Sequence, residues 1–382
     1  MKRLFAVMLL CGFVSPFMFS QDSNSELLKK LVDKNILTQA EADEISREDV
    51  KKEEKQNFAQ SLEKIRDAFN TPYMKFGGYG LLLYKYSQYD KVHHDLNARV
   101  LFLSMEGRLT DHFRYFILYE FTDPRLYEFY GEWMPSDFFK LRGGQFKIPF
   151  SFENPISLTD LETISNTRSV SSLVGMTGDP IQWSKGNGNR MNQTGRDIGI
   201  QVSGSLFNNG SHDLVQYAAG MFQGTGLGVK ENNGTKDFVG NIAVQPIKDL
   251  RIAGGLYAGK AVYHDKDHGR NRWIVGSDYK SDRLYARAEW IHGNDGGIKK
   301  EGLYGTALCY IMPNKLNFVG KIDYFNENKD TDREVIDYLV GVNYYFWGKC
   351  RFQLNYTYSD FSKNWHGHSS ENTVQAQMQI VF

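Results

Sequence analysis

The residues of this chain best suited to chemistry are basic ones placed on alternating backbone positions. An anion that sheds water in a confined passage needs replacement donors. Arg supplies a planar fork that matches phosphate or carboxylate oxygens, and Lys supplies a mobile point charge. In Lys140-Leu-Arg-Gly-Gly-Gln-Phe-Lys147, Lys140 and Arg142 face away from Phe139 and Leu141, and a bulge at Gly143-Gly144 would turn Lys147 to the same side. By the same parity Arg114, Arg251, Arg287 and Lys321 share a polar face on other segments, with Glu106, Glu120, Glu289 and Asp323 beside them. Arg168, Lys185 and Arg190 fall in a long connection and could reach the same space. Rings or ladders of such groups would select ions by sign.

Other motifs carry less. Gly224-Thr-Gly-Leu-Gly lacks the strand and helix that a nucleotide site needs on either side. His93-His94, His264, His268, His366 and His368 fall in connections, where solvated imidazoles are commoner than metal ligands. No Ser and His converge on one face as a hydrolase requires, so no enzyme and no cofactor is expected. Asn192-Gln-Thr and Asn233-Gly-Thr match a glycosylation acceptor, which the class of protein inferred below makes irrelevant.

The elements that must hold these residues are strands. From Tyr73 to the last residue the apolar period is two. Arg351 to Ser359 sets Phe352, Leu354, Tyr356 and Tyr358 against Arg351, Gln353, Asn355 and Thr357, and Val374 to Phe382 repeats the pattern. Arg196 to Ser203 and Lys315 to Phe325 do the same. Here the apolar face is heavily aromatic and the other carries Arg, Lys, Gln and Asn, which suits lipid outside and water inside better than a dry sandwich core. Short turns such as Thr110-Asp111, Asn208-Asn-Gly210, Ser281-Asp282, Pro313-Asn314 and Gly348-Lys349 alternate with longer connections, among them Gly224 to Lys236, Lys260 to Asn271 and Asp360 to Ser370. That alternation is the habit of transmembrane barrels, and it predicts an all-β antiparallel barrel of about 16 strands over residues 71–382. One connection, Phe150 to Thr194, is far longer than the rest and has a helix-like piece at Leu158 to Ile164. Folded inward, it would narrow a lumen that a barrel of this size otherwise leaves wide.

Composition agrees. The 382 residues are 14% aromatic and contain 36 Gly but 9 Pro, which argues against disorder and against a coiled coil throughout. With 45 Lys+Arg against 45 Asp+Glu there is no basic excess to bind a nucleic-acid backbone. Residues 71–382 hold 34 basic and 33 acidic side chains, so the barrel as a whole shows no gross positive excess either. Three Cys (Cys11, Cys309, Cys350) make no disulfide framework and read as small apolar residues. Residues 1–20 begin with Lys2 and Arg3, run apolar from Leu4 to Val14 and end at Ser20: an export signal, too short to span a membrane. Residues 21–70 lack the strand period and read as a helical, coiled-coil-like segment. Leu27, Leu28, Leu31, Val32 and Ile36 keep helical spacing, and Thr38 with Glu41 forms a capping box that restarts a helix at Gln39. Its narrow apolar stripe suits self-association or a solvated spacer.

The segment KLRGGQFKIPFSFENP (Lys140 to Pro155), the stretch LVDKNILTQAEADEI and the terminal strand ending in Phe382 together resemble the phosphate-selective porins of Gram-negative outer membranes. The resemblance spans nearly all of the chain after its leader. It implies a trimeric barrel of about 16 strands with a loop-constricted pore, an N-terminal coiled coil in the periplasm, the outer-membrane bilayer as surroundings, and passive uptake of small anions. The alternatives are a general or sugar and oligosaccharide porin, which aromatic residues lining the pore would favour, and a barrel adhesin or enzyme.

Overall fold

In the computed structural model, residues 28, 30–34, 36–47, 61, 70–71, 73–174, 195–263, 265–365 and 367–382 are described. The export signal, most of the segment 48–67, Lys185, Arg190, Asn192, His264 and His366 lie outside them. The chain divides into two units, residues 1–69 and 70–382. In the first, residues 39–47 are helical, and the capping box is present: Thr38 N–H donates to Glu41 Oε2 at 2.8 Å and Glu41 N–H to Thr38 Oγ1 at 3.3 Å. The Thr38 backbone N–H, aided by its hydroxyl, holds the Glu41 carboxyl below its ordinary pKa.

The second unit is a closed antiparallel barrel of 16 strands in which every strand pairs with its sequence neighbours and β1 pairs with β16. The strands are β1 (Lys75–Ser87), β2 (His94–Thr110), β3 (Phe113–Glu120), β4 (Arg125–Ser136), β5 (Phe139–Lys147), β6 (Arg196–Asn208), β7 (Asp213–Phe222) and β8 (Asp237–Ile247). They continue with β9 (Leu250–Tyr263), β10 (Lys266–Lys280), β11 (Leu284–Asp295), β12 (Ile298–Met312), β13 (Leu316–Asn328), β14 (Arg333–Trp347), β15 (Cys350–Phe361) and β16 (Ser370–Val381). Closure pairs every backbone group in the ladder, which a hydrocarbon surround demands. The last residue shares in it, since Phe382 N–H donates to Gly78 O at 3.1 Å and Gly78 N–H to Phe382 O at 3.0 Å.

The wall is inverted relative to a soluble protein. On β15, Phe352 and Leu354 are 50% and 48% exposed while Arg351, Gln353 and Asn355 are 1%, 2% and 0% exposed. Aromatic and aliphatic side chains therefore face outward and the polar ones inward. Three expectations change. Lys260 to Asn271 is no long loop: β9 and β10 extend to Tyr263 and Lys266, so the hairpin projects with its ladder intact. There is no register slip at Gly143-Gly144; pairing with β4 and β6 runs straight through both. Leu158 to Ile164 is turns and bends, and the loop's helix is Arg168–Leu173, capped by the Thr167 side chain on Val170 N–H.

Candidate functional site

The described part of the long connection after β5 lies inside the barrel. It starts at the long-loop rim and descends along one side of the wall. Ser151 Oγ donates to Glu289 Oε2 (2.8 Å, β11), Gln379 Nε2 donates to Thr159 O (3.1 Å, β16), and Asp160 pairs with Lys349 in the short turn between β14 and β15 at 2.7 Å. The loop thus reaches the short-turn rim. It climbs back past Ile164, whose N–H donates to Asn355 Oδ1 (2.7 Å), to Arg168, whose guanidinium grips Asp337 through two contacts of 2.8 Å. Buried side chains of the loop, Phe150, Val170, Leu173 and Val174, pack with Phe222, Tyr257, Ile291, Tyr304, Phe325 and Val335 as an apolar core within the lumen.

Charged groups fasten that core. Arg287 donates to Glu162 Oε1 and Oε2 (3.1 and 2.9 Å) and to Glu153 Oε2 (3.2 Å), and Lys321 donates to Thr163 Oγ1 and Ser165 O (3.0 and 3.1 Å). Arg287, Glu153, Glu162 and Lys321 are all less than a tenth exposed. Such contacts hold position because removing one partner would strand the other's charge or lone pairs out of water. Of the expected anion ligands, then, Arg287, Lys321 and Arg168 do face the lumen, but their donors are spent on contacts between loop and wall: Arg287 and Lys321 hold the loop, and Arg168 of the loop holds Asp337 of the wall. Arg251 pairs with Asp278 on the neighbouring strand at 2.6 Å.

The passage runs along the opposite side. Between the loop and the wall of β1 to β6 lies a cavity of about 1050 Å³ whose lining includes Arg99, Arg142, Lys147, Arg196 and Lys349 against, among the described residues, one acidic side chain, Glu128. A chain of zero formal charge has thus gathered, among its described residues, five basic side chains and one acidic side chain on this cavity. Arg196 pairs with Glu128 at 2.7 Å; Arg142 and Arg114 share Glu132, just behind the lining, at 2.8 and 2.5 Å. Arg99 and Lys147 are held by neutral oxygens instead. Arg99 Nη1 donates to Ile164 O (2.7 Å) and Gln377 Oε1 (2.8 Å), and Lys147 Nζ donates to Ile156 O (2.6 Å). Dipoles steady a cation without an opposite charge beside it. The loop contributes hydroxyl and amide groups to its own side, Ser157, Thr159, Ser165, Asn166 and Ser171.

Of the expected ligands, Arg142 and Lys147 come together here, while Arg114 does not line the cavity and meets it only through the Glu132 it shares with Arg142. Lys140 does not line the cavity; it acts on Asp213 near the short turn after β6. Arg99 and Arg196 were not legible as candidates. Strict alternation from the outward Leu101 and Leu103 sends Arg99 outward too. Between Leu81/Val100 and Leu82/Ala98, however, β2 holds Arg99 as an extra residue, and the bulge turns it in. Arg196 shares parity with the outward Ile198 and Ile200, but it opens β6 where the chain leaves the loop, and its side chain bends to Glu128. Lys147, its partner across the ladder, closes β5 in the same way. Among the described residues no cluster of His, Cys, Asp or Glu gathers as metal ligands. His94 accepts or donates to Tyr84 Oη at 2.8 Å, and His368 stacks on Tyr89 with ring centres 3.8 Å apart.

A closed barrel of this size, narrowed by an infolded loop after β5, is a pore architecture, and the family profile described as phosphate-selective porin O and P matches residues 79–382. The chain belongs to this family. It is an outer-membrane porin, and its architecture is that of a channel. Solved structures share the fold at low identity. The anion-selective porin from Comamonas acidovorans superposes with a TM-score of 0.62 at 12% identity, over 81% of this chain and 99% of that one. The outer membrane channel DcaP of Acinetobacter baumannii gives 0.56 at 14% identity, over 81% and 97%. The trimer form of OmpT of Vibrio cholerae gives 0.55 at 12%, over 81% and 99%. No curated protein sequence matches the chain.

Proposed function

We propose that this porin is a passive channel for small anions, phosphate among them, in the outer membrane of a Gram-negative bacterium. It works as a homotrimer with the helical segment on the periplasmic side. The observation that carries the reading is the lining: among the described residues, five basic side chains against one acidic side chain around the cavity of about 1050 Å³. An anion entering there trades part of its hydration for Arg and Lys donors on one wall and loop hydroxyls on the other, and a cation meets a lining in which basic groups outnumber acidic ones. Passage needs donors spread along the path, none strong enough to trap the ion, and carbonyl-held Arg99 and Lys147 beside carboxylate-held Arg142 and Arg196 supply that gradation. The infolded loop keeps the path narrow enough for the field to act within a few ångströms of the solute. Trimeric assembly is carried over from the neighbour whose trimer form has been solved.

The test is the reversal potential of the purified protein in a planar bilayer under a KCl gradient, with and without phosphate. Anion preference with phosphate block of the chloride current is expected. Replacing Arg99 and Lys147 together by Gln should bring the potential close to zero. Cation preference in the unaltered protein would sink the proposal in favour of a general porin.

A further inference from the structure

The wall that carries the cations also carries rings. Tyr79, Phe102, Phe116, Tyr127 and Tyr130 all line the same cavity. They are ordered in two rows. In one, the Arg196 guanidinium lies 5.1 Å from the Tyr127 ring centre, Tyr127 meets Phe102 edge-on at 4.8 Å, and Phe102 meets Tyr79 at 5.1 Å. In the other, Arg142 lies 4.4 Å from the Tyr130 centre, and Tyr130 meets Phe116 at 5.5 Å. Each row is headed by a guanidinium; Tyr127, Tyr79, Tyr130 and Phe116 stay half-buried along the cavity, and Phe102, buried, packs between Tyr127 and Tyr79.

A bare inorganic anion has no use for such surface. Ring faces present negative charge, so a hydrated phosphate or chloride gains nothing there beyond what the Arg heads give. The interior of a water-filled barrel is normally polar, which makes a set of phenyl and phenol rings there a departure that calls for a cause. The rows fit a solute with two ends: an anionic group for the guanidinium fork and a flat apolar body for the rings that follow. Stacking of Arg on Tyr127 and Tyr130 keeps each fork beside its ring, so both ends can be met at once.

We propose that the solutes this passage prefers are organic anions that carry a carboxylate or phosphate on a flat apolar body, above inorganic phosphate itself. The inference rests on the anion-channel reading above and narrows its substrate class. Arg196 and Arg142 draw the charged end toward the wall; Tyr127 and Tyr79, backed by the buried Phe102, and Tyr130 and Phe116 receive the body.

The test compares matched probes on the same channel. The half-blocking concentration of the chloride current is measured for phenyl phosphate against inorganic phosphate, and for benzoate against acetate, with glucose as a neutral control. Each aromatic anion should block at a concentration about fivefold lower than its bare partner. Phe116→Leu and Tyr127→Leu, which keep apolar bulk and remove the ring, should each shrink that ratio. A ratio of one in a channel that still prefers chloride over potassium overturns the substrate class alone. Absence of that preference in the unaltered protein overturns the underlying reading instead. Block by glucose as strong as by phenyl phosphate would mean that the rings read neutral sugars, and ratios unchanged in both variants would remove the rings from the argument. A phosphate-ester advantage without a benzoate advantage would confine the class to phosphates.

Discussion

Replacing Arg287 by Met should release the loop without dissolving the barrel. Arg287 makes three contacts of 2.9–3.2 Å to Glu153 and Glu162, with side chains 1%, 1% and 9% exposed. Breaking a buried pair by removing one member costs about 3–5 kcal/mol because the other is left charged out of water. That is a factor of roughly 10² to 10⁴ in the balance between docked and undocked loop. The barrel should survive, since its ladder is backbone bonding that Arg287 does not enter. In single-channel recordings, brief transitions to a wider, higher-conductance state should become at least roughly a hundredfold more frequent. The variant that also carries Glu153→Gln and Glu162→Gln removes the stranded charges and should recover most of the quiet behaviour. Openings as rare as in the unaltered protein, in a channel that still runs as a folded barrel, would refute the view that this ion cluster latches the loop. A triple variant as noisy as the single one would show that lost packing, and not stranded charge, is the cause.

Glu132→Gln removes the carboxylate shared by Arg114 and Arg142, so the reversal potential under a KCl gradient should move further toward chloride; movement toward potassium would contradict the pairing. Anion preference should weaken between 0.1 and 1 M KCl as the Debye length falls from about 10 to 3 Å, and selectivity independent of salt would point to size exclusion instead. Gly144→Ala places a Cβ 2.1 Å from Phe129 O at a φ of 138°, and the strain, about 1–3 kcal/mol or more, should lower the temperature at which the barrel unfolds in a heat-shift gel. The Glu41 carboxyl should titrate below 4.5 by carbon-13 NMR, because Thr38 donates to its charged form. A depressed pKa means that the cap's contribution to the helix is present above the ordinary value and lost as pH falls through the lowered one; a midpoint at or above 4.5 would contradict it.

The strands were legible because a barrel wall repeats one rule: the alternating segments at Arg196 to Ser203, Lys315 to Phe325, Arg351 to Ser359 and Val374 to Phe382 fall on β6, β13, β15 and β16. Ends were harder to place, since polar residues around Lys260 and Asn271 look like loop yet continue the ladder beyond the apolar band. The direction of Arg287 and Lys321 followed from parity, but their role did not, because Glu153, Glu162 and Thr163 are more than a hundred residues away in sequence. Arg99 failed for the opposite reason: parity holds only where register does, and one extra residue in β2 reverses it. In the loop, the apolar spacing of Leu158 to Ile164 suggested a helix where Leu161 and Ile164 bury against the wall by turns, while Thr167 capped the helix that did form.

Arg99 also bears on how the cylinder is put together. It stands on β2 and reaches Gln377 on β16 while holding Ile164 of the loop, so one guanidinium bridges the two strands on either side of β1. Ser165 likewise meets Gln375 on β16. Those partners do not exist as neighbours until the last strand has zipped to the first. The loop can gain its full set of contacts only in a finished cylinder: a barrel caught with its seam open keeps the contacts to β11, β13, β14 and β15 but lacks the Arg99 bridge that ties the loop across the seam. Narrowing of the passage is therefore coupled to completion of the wall, and a defect in the final strand should show itself first as a leak.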